Sequence, residues 1–207
     1  KKIDDVKKAK EHKELNEKPF LILANKQDLP NAATKGDNLE SFFASLENYS
    51  LETWRQIMAV NLDGLFLVAQ EIGSRMASNG KGSIIQTSSI YGATMGPDQR
   101  IYKGSKYMDM SINSPPSYSA SKAGVVGLTN YLATYWADKG VRVNTLTPGG
   151  VKSGQNTIFS KNYSERVPMG RMADGNEMVG TLVFLASDAS SYITGQNIFI
   201  DGGLSAW

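Results

Sequence analysis

A chain of 207 residues with a net charge of +2 and 41% hydrophobic residues is long enough to bury a core as one domain. Its charge is too evenly balanced to draw it to nucleic acid or a membrane surface. It has no cysteine and a single histidine, His12, which excludes disulfides, thiolate nucleophiles, a histidine metal cluster and a Ser-His-Asp triad.

The longest apolar runs, "LFLVA" and "LVFLA", are too short to span a bilayer, and "KKIDDVKKAK" has no apolar segment behind it, so a cytoplasmic globular domain is expected. In chain order, a charged helix over about residues 2–17 precedes a strand in "KPFLILANK". The clearest helix spans 50–76. Ser50 stands at its N-cap, and Trp54, Ile57, Met58, Leu62, Leu65, Phe66, Ala69 and Ile72 recur at i, i+3, i+4 spacing. "GSIIQTSS" is the next strand, 118–138 a second long helix closed by Gly140, and "VRVNTLTPGG" a third strand. Asp174 with Glu177 forms a capping box ahead of a helix through "MVGTLVFLA", and "QNIFIDGG" is the last strand.

Strands alternating with helices predict an α/β, Rossmann-like parallel sheet with flanking helices, built from strands at about 20–25, 82–87, 141–147 and 196–200. Neither a repeat nor a linker interrupts residues 1–207, which read as one domain. The stretches at about 92–117 and 150–173 read as long irregular loops, a kind that tends to be functional.

Several polar placements carry chemistry. Asn61 lies between Met58 and Leu65, on the helix face that should be buried. A buried amide without partners costs on the order of 1–3 kcal/mol, so Asn61 either braces a neighbouring backbone or orders water or a lysine in a site. Ser88 and Ser89 end one strand and Pro148, Gly149 and Gly150 end another. Open parallel sheets bind ligands at such carboxyl ends, although serines there are also ordinary turn and cap formers. In "YSASKAG", Tyr118 and Lys122 stand at i and i+4 on one helix face. Val125, Leu132 and Trp136 share roughly that face, so packing alone would favour an aliphatic residue at 122. A neighbouring ammonium stabilises a phenolate and lowers its pKa from about 10, which makes the phenol a usable proton donor or acceptor near neutrality. The small residues around the pair leave room for a ligand.

Asn61, Ser89, Tyr118 and Lys122 in that order, with "NAA" before them and "PGG" after, together with "VRVNTLTPGG" and "ITGQNIFIDGG", resemble the short-chain dehydrogenase/reductase family from about Asn31 to Trp207. The resemblance implies a doubly wound sheet, NAD or NADP as cofactor, no metal, and interconversion of a carbonyl and a secondary alcohol on a small molecule. By carry-over, Tyr118 exchanges a proton with the substrate oxygen, Ser89 hydrogen-bonds that oxygen, Lys122 binds the nicotinamide ribose and tunes Tyr118, and Asn61 holds a relay water. Asn31, Ala32, Pro148, Gly149 and Val151 join Tyr118 and Lys122 as cofactor contacts. The family also implies a homodimer or homotetramer through the helices at 50–76 and 118–138, with the "GLSAW" tail near a subunit contact. Within the family, "SSIYGATMGPDQRIYKGSKY" and "NYSERVPMGRMADGNEM" resemble a bacterial subgroup found with surface-sugar biosynthesis. The insertion carrying Arg100, Tyr102, Lys103, Lys106 and Tyr107 is either a solvated loop or a grip for a nucleotide-sugar through stacking and phosphate contacts.

The family's Gly-rich turn, which holds the cofactor pyrophosphate at a helix N-terminus, has no counterpart before Asn31. "FLILANKQDLPNA" instead resembles the guanine-specificity segment of Arf-type small GTPases, with Asn25, Lys26 and Asp28 as the guanine-reading set. The matching phosphate loop is lacking, because the candidate from Gly73 to Gly80, Lys81 and Gly82 has the wrong spacing and no final Ser or Thr. GTP hydrolysis is therefore rejected. Two readings stay open: an NAD(P)-dependent oxidoreductase, or a truncated or chimeric, non-catalytic Rossmann-like chain that keeps the catalytic residues without the cofactor-binding half. Loss of the family's first strands would leave "FLILA" as an apolar sheet edge, needing cover from a partner chain or the N-terminal helix.

Overall fold

Alternation of facing within one strand organises the core. Ile84 and Ile85 are both fully buried, yet successive strand residues point to opposite faces of a sheet. Ile84 packs with Ala69, Met76, Leu132, Ala133, Trp136, Val141 and Val143. Ile85 packs with Leu146, Met178, Leu185 and Ala186. Both faces of the strand are therefore covered, as a parallel sheet requires.

The computed structural model describes residues 20–23 and 39–207. Its main sheet has four parallel strands, β1 (Phe20–Leu23), β2 (Gly82–Thr87), β5 (Val141–Pro148) and β6 (Asn197–Ile200), in the order β1-β2-β5-β6. The two short strands β3 (Lys106–Tyr107) and β4 (Met110–Ser111) pair antiparallel as a separate hairpin. On the Ile84 face lie α2 (Gly64–Ser78) and α3 (Pro116–Trp136), with α1 (Leu51–Met58) packed against α3. A shorter helix, α4 (Thr157–Ser164), follows the sheet's third described strand, and α5 (Val179–Ala186) covers the Ile85 face. The α/β parallel sheet with flanking helices expected from the strand–helix alternation is thus observed, and each predicted strand is found within about two residues of its expected limits.

Four local features refine that expectation. Ser50 caps the long helix, its hydroxyl accepting from Thr53 N–H at 3.0 Å, but the helix is not uniformly α: Ala59–Asp63 forms a π-helical turn around the buried Asn61. Phe66, expected on the buried stripe, is 42% exposed beside Leu67 and Val68; the widened turn displaces the rows C-terminal to it, and Leu65 and Ala69 carry the burial. The second long helix begins earlier, at Pro116, which needs no N–H partner in a first turn. It ends through a 3-10 turn at Ala137–Lys139 that is closed by Gly140 at φ 70°. The stretches expected to be irregular are structured. The first holds a 3-10 turn (Gln99–Tyr102) and the β3–β4 hairpin, and the second holds α4.

The capping box is present, with the Glu177 carboxylate accepting from Asp174 N–H at 2.8 Å. At Gly73 a Cβ would come within 2.3 Å of the Trp136 ring, so only glycine lets α2 approach α3 this closely. The charged helix at 2–17, the segment with Asn25, Lys26 and Asp28, and the cofactor candidates Asn31 and Ala32 lie outside the described residues.

Candidate functional site

Two elements meet at the carboxyl end of β2, and a third packs against the second of them. The first is the strand end itself. Ser88 N–H donates to the Leu146 carbonyl at 3.0 Å, which extends the pairing with β5, and Ser88 Oγ donates to the Lys122 carbonyl at 2.7 Å. Ser89, 7% exposed, caps the short turn at Ile90–Ala93 by accepting from Tyr91 N–H at 3.2 Å. That turn sits against α3, because a Cβ on Gly92 (φ 105°) would lie 2.1 Å from the Ser119 carbonyl oxygen.

The second element is α3, which carries Tyr118, Ser121 and Lys122 on consecutive turns. Lys122 is only 3% exposed. Its ammonium donates to the Thr87 carbonyl at 3.1 Å and lies 5.7 Å from the centroid of the Tyr118 ring. A buried cation is retained only where acceptors and electron-rich faces offset its desolvation, and this one has both. The i, i+4 spacing expected from "YSASKAG" therefore brings phenol and ammonium together. The helix start is pinned from outside as well: Tyr49 and Ser117 share a hydrogen bond of 2.8 Å between their hydroxyls. Burial raises the Tyr49 phenol above its usual range and the bond to Ser117 opposes that.

The third element is the π turn. Asn61 is fully buried; its Nδ2 donates to Ser121 Oγ at 3.0 Å, and Ser121 Oγ donates to the Tyr118 carbonyl at 2.8 Å. The other end of the amide, Oδ1, is buried with no hydrogen-bond partner. Buried carbonyl oxygens are nearly always satisfied, so an acceptor left open on a turn bonded to α3 is ready for an ordered water.

Pro148 and Gly149 end β5. Gly149 N–H donates to the Ile200 carbonyl at 2.9 Å, and a Cβ on Gly149 would lie 2.9 Å from the Asp201 backbone. Val151 forms an isolated parallel bridge with Ala173. The ends of β2 and β5 are thus side by side, with the Lys122 ammonium behind one and the Gly149–Val151 turn after the other. Donors and open acceptors of this kind fit the ribose and amide end of a nicotinamide cofactor. Among the described residues no group of three or more His, Asp or Glu could hold a metal.

Sequence reasoning missed Ser121 and Tyr163. Ser121 stands at i+3 from Tyr118 inside the quoted motif, where a helical serine commonly donates back to the preceding turn. Tyr163 gave no signal, because its contact with Gly150 crosses a loop. Several side chains of the insertion have partners within the fold. Arg100 is engaged by Asp98 at 2.8 Å, Tyr102 stacks on Phe159 with centroids 5.9 Å apart, and Tyr107 packs toward Phe43 at 6.5 Å. Lys103 and Lys106 are exposed.

The comparisons with known proteins bear on the family and the fold. A family model described as short chain dehydrogenase matches residues 5–110, and one described as enoyl-(acyl carrier protein) reductase matches residues 107–205. The first of these begins ahead of Asn31, where the motifs alone place the start of the resemblance. Galactitol 2-dehydrogenase (L-tagatose-forming) of Cereibacter sphaeroides is 37% identical over 161 residues, 75% of this chain and 58% of that protein. The crystal structure of a short chain dehydrogenase from Leptospira borgpetersenii with bound NAD+ matches with a TM-score of 0.74 at 35% identity, covering 98% of this chain and 70% of that one. A gluconate 5-dehydrogenase from Burkholderia cenocepacia, in complex with NADP and tartrate, gives 0.71 at 28% identity, covering 91% and 65%. The chain thus spans little more than half the length of the curated relative, 58%. With the matching family models together covering residues 5–205, the chain belongs to the short-chain dehydrogenase/reductase family.

Proposed function

We propose that this chain forms the catalytic part of an NAD(P)-dependent oxidoreductase that interconverts a carbonyl and a secondary alcohol on a small polyhydroxylated substrate. The observation that carries the reading is the Tyr118 ring beside the buried Lys122 ammonium at the end of β2, with Asn61 tied to the same helix through Ser121 and its Oδ1 left open.

In this reading the Tyr118 hydroxyl gives its proton to the carbonyl oxygen during reduction and takes it back during oxidation. The Lys122 charge favours the deprotonated tyrosine and its ammonium donates to the cofactor ribose. Ser89 Oγ, held at the start of its turn, donates to the same substrate oxygen and fixes its position. Asn61 Oδ1 accepts from a water that re-protonates the Tyr118–Lys122 pair. Pro148, Gly149 and Val151 line the nicotinamide end, and Asn31 and Ala32 contribute further cofactor contacts. When bound, the nicotinamide supplies or takes up the hydride.

A small polyol or sugar acid suits the site better than a nucleotide-sugar. Two of the related proteins described above are named for galactitol and for gluconate. The residues that would stack on a base or hold a phosphate are engaged internally: Tyr102 on Phe159, and Arg100 on Asp98. That leaves Lys103, Lys106 and the largely exposed Arg100 for a nucleotide-sugar. We also propose that the chain works as a homodimer or homotetramer. Val60, Phe66, Leu67 and Val68 on the long helix and Tyr131 and Tyr135 on α3 are between 40% and 62% exposed, an apolar surface that a second copy would cover. Among the described residues no helix is long and apolar enough to cross a membrane.

Titration of the chain with NADH and NADPH by fluorescence tests the proposal. Saturable binding of either, with turnover of a polyol or keto-sugar that disappears in Tyr118→Phe, is the expected result. A wild-type chain that binds neither would identify it as a piece that keeps the catalytic residues without a working cofactor site.

A further inference from the structure

Tyr163 is buried to 3% exposure on the last turn of α4, beyond the Gly149–Val151 turn in the chain. Its hydroxyl accepts from the Gly150 N–H at 2.6 Å. The ring lies against the same glycine, since a Cβ there would come within 2.5 Å of Tyr163 Cε1 and 2.7 Å of Cζ. The second glycine of "PGG" is therefore required by the tyrosine that packs on it.

The peptide units entering Val151 are held from outside the strand. Gly149 N–H donates to Ile200, Gly150 N–H donates to Tyr163, and the Gly150 carbonyl accepts from Ala173 N–H at 2.9 Å. Lys152 N–H closes the pair on the Ala173 carbonyl, also at 2.9 Å. With both its N–H and its C=O committed, the Gly150 residue cannot rotate its flanking peptides, which fixes the direction of the backbone at Val151. The tyrosine end of this clamp is itself fixed. Phe159 packs on Tyr163 with centroids 5.9 Å apart. The Asn162 amide donates to the Ile101 and Lys103 carbonyls, and that of Asn156 to Ser105 Oγ and the Lys106 carbonyl. Helix α4 is thus docked on the 99–107 insertion. Burial pushes the Tyr163 phenol up to about 12, so it stays neutral through the physiological range.

We infer that Tyr163 is a positioning residue for the nicotinamide end of the cofactor: it holds the Gly149–Val151 turn in its binding geometry and ties that turn, through α4, to the insertion. The inference rests on the oxidoreductase reading above. It differs from a packing role in what the hydroxyl alone should do.

The test compares wild type, Tyr163→Phe and Tyr163→Leu by NADH and NADPH titration, urea unfolding and amide hydrogen exchange of residues 149–152 without cofactor. The phenylalanine keeps the ring and removes one hydrogen bond. Its expected signature is cofactor affinity weakened roughly 3- to 10-fold and faster exchange at Gly150, with an unfolding midpoint close to wild type. Tyr163→Leu should lower the midpoint as well. Equal cofactor affinity in wild type and Tyr163→Phe overturns the inference while leaving the functional reading intact. A wild-type chain that binds no nicotinamide overturns both, and the wild-type titration separates the two failures.

Discussion

Asn61 Nδ2 donates to Ser121 Oγ at 3.0 Å, while Oδ1 of the same amide is buried without a partner. Because Ser121 donates onward to the Tyr118 carbonyl, the amide is oriented by the helix that carries the tyrosine, and its open end faces away from that bond. An unsatisfied buried acceptor costs about 1–3 kcal/mol, a cost the fold tolerates where the group serves a ligand or a water. Asn61→Leu, which matches the side chain in number and branching of heavy atoms, removes this cost but adds volume, so thermal stability should shift by no more than a few degrees, on the order of 2–4 °C per kcal/mol for a chain of this size. Turnover should fall at least about tenfold, within the range of lost proton-transfer assistance. Calorimetry and initial rates on the same preparations check both halves.

Tyr118→Phe removes the proton donor and keeps the ring near the Lys122 ammonium. Turnover should drop by about 10²- to 10⁴-fold with cofactor affinity nearly unchanged. Lys122→Met should instead weaken cofactor binding and rate together, since it removes the ribose donor and leaves the Thr87 carbonyl without its bond from Nζ. Steady-state kinetics with separate cofactor titrations distinguish the two patterns.

Gly92 permits the turn after Ser89 to rest on α3. A methyl at this position would lie 2.1 Å from the Ser119 carbonyl oxygen and 2.9 Å from Ala123 N, in a backbone at φ 105°. Neither backbone atom can yield without moving α3. Gly92→Ala should destabilise the fold by about 1–3 kcal/mol from strain and overpacking and lower turnover beyond the loss of folded protein. Urea denaturation and rate per folded molecule are the measurements.

Asp98 anchors the insertion by pairing with both Arg100 and Arg166. Hydrogen bonds from the Arg100 side chain and backbone, with the two guanidinium charges, hold its carboxyl down at about 2. A depressed folded-state value means the stabilisation is complete above the unfolded carboxyl's value of about 3.9 and is lost as pH falls through about 2. The unfolding midpoint of wild type should therefore fall more steeply between about pH 4 and 2 than that of Asp98→Asn, the two curves converging at the acid end. Denaturant titrations across that window measure it.

Leu67 is 58% exposed between Phe66 and Val68, each 42% exposed. Leu67→Glu places a charge in the centre of this apolar surface and should shift the chain to a smaller species in light scattering at micromolar concentration. Its unfolding midpoint at low concentration should be little affected, because the side chain is not part of the core.

The sequence by itself determined the elements whose cause is local. Short β-branched apolar runs located four strands and helical spacing two long helices, Ser50 and the Asp174–Glu177 box marked helix starts, and Gly140 marked an end. The order Asn61, Ser89, Tyr118, Lys122 was also legible, because Tyr118 and Lys122 need only one helical turn to meet. What only the tertiary structure decided depends on residues distant in the chain. The π turn forms where Asn61 reaches Ser121, 60 positions away. The insertion folds into a hairpin and a 3-10 turn because Asn156 and Asn162 satisfy its carbonyls from α4. Tyr163 finds Gly150 across a 13-residue gap that carries no periodic signal. In each case a buried polar group must be matched by whichever partner the assembled layers bring within hydrogen-bonding distance, and no local pattern encodes that partner.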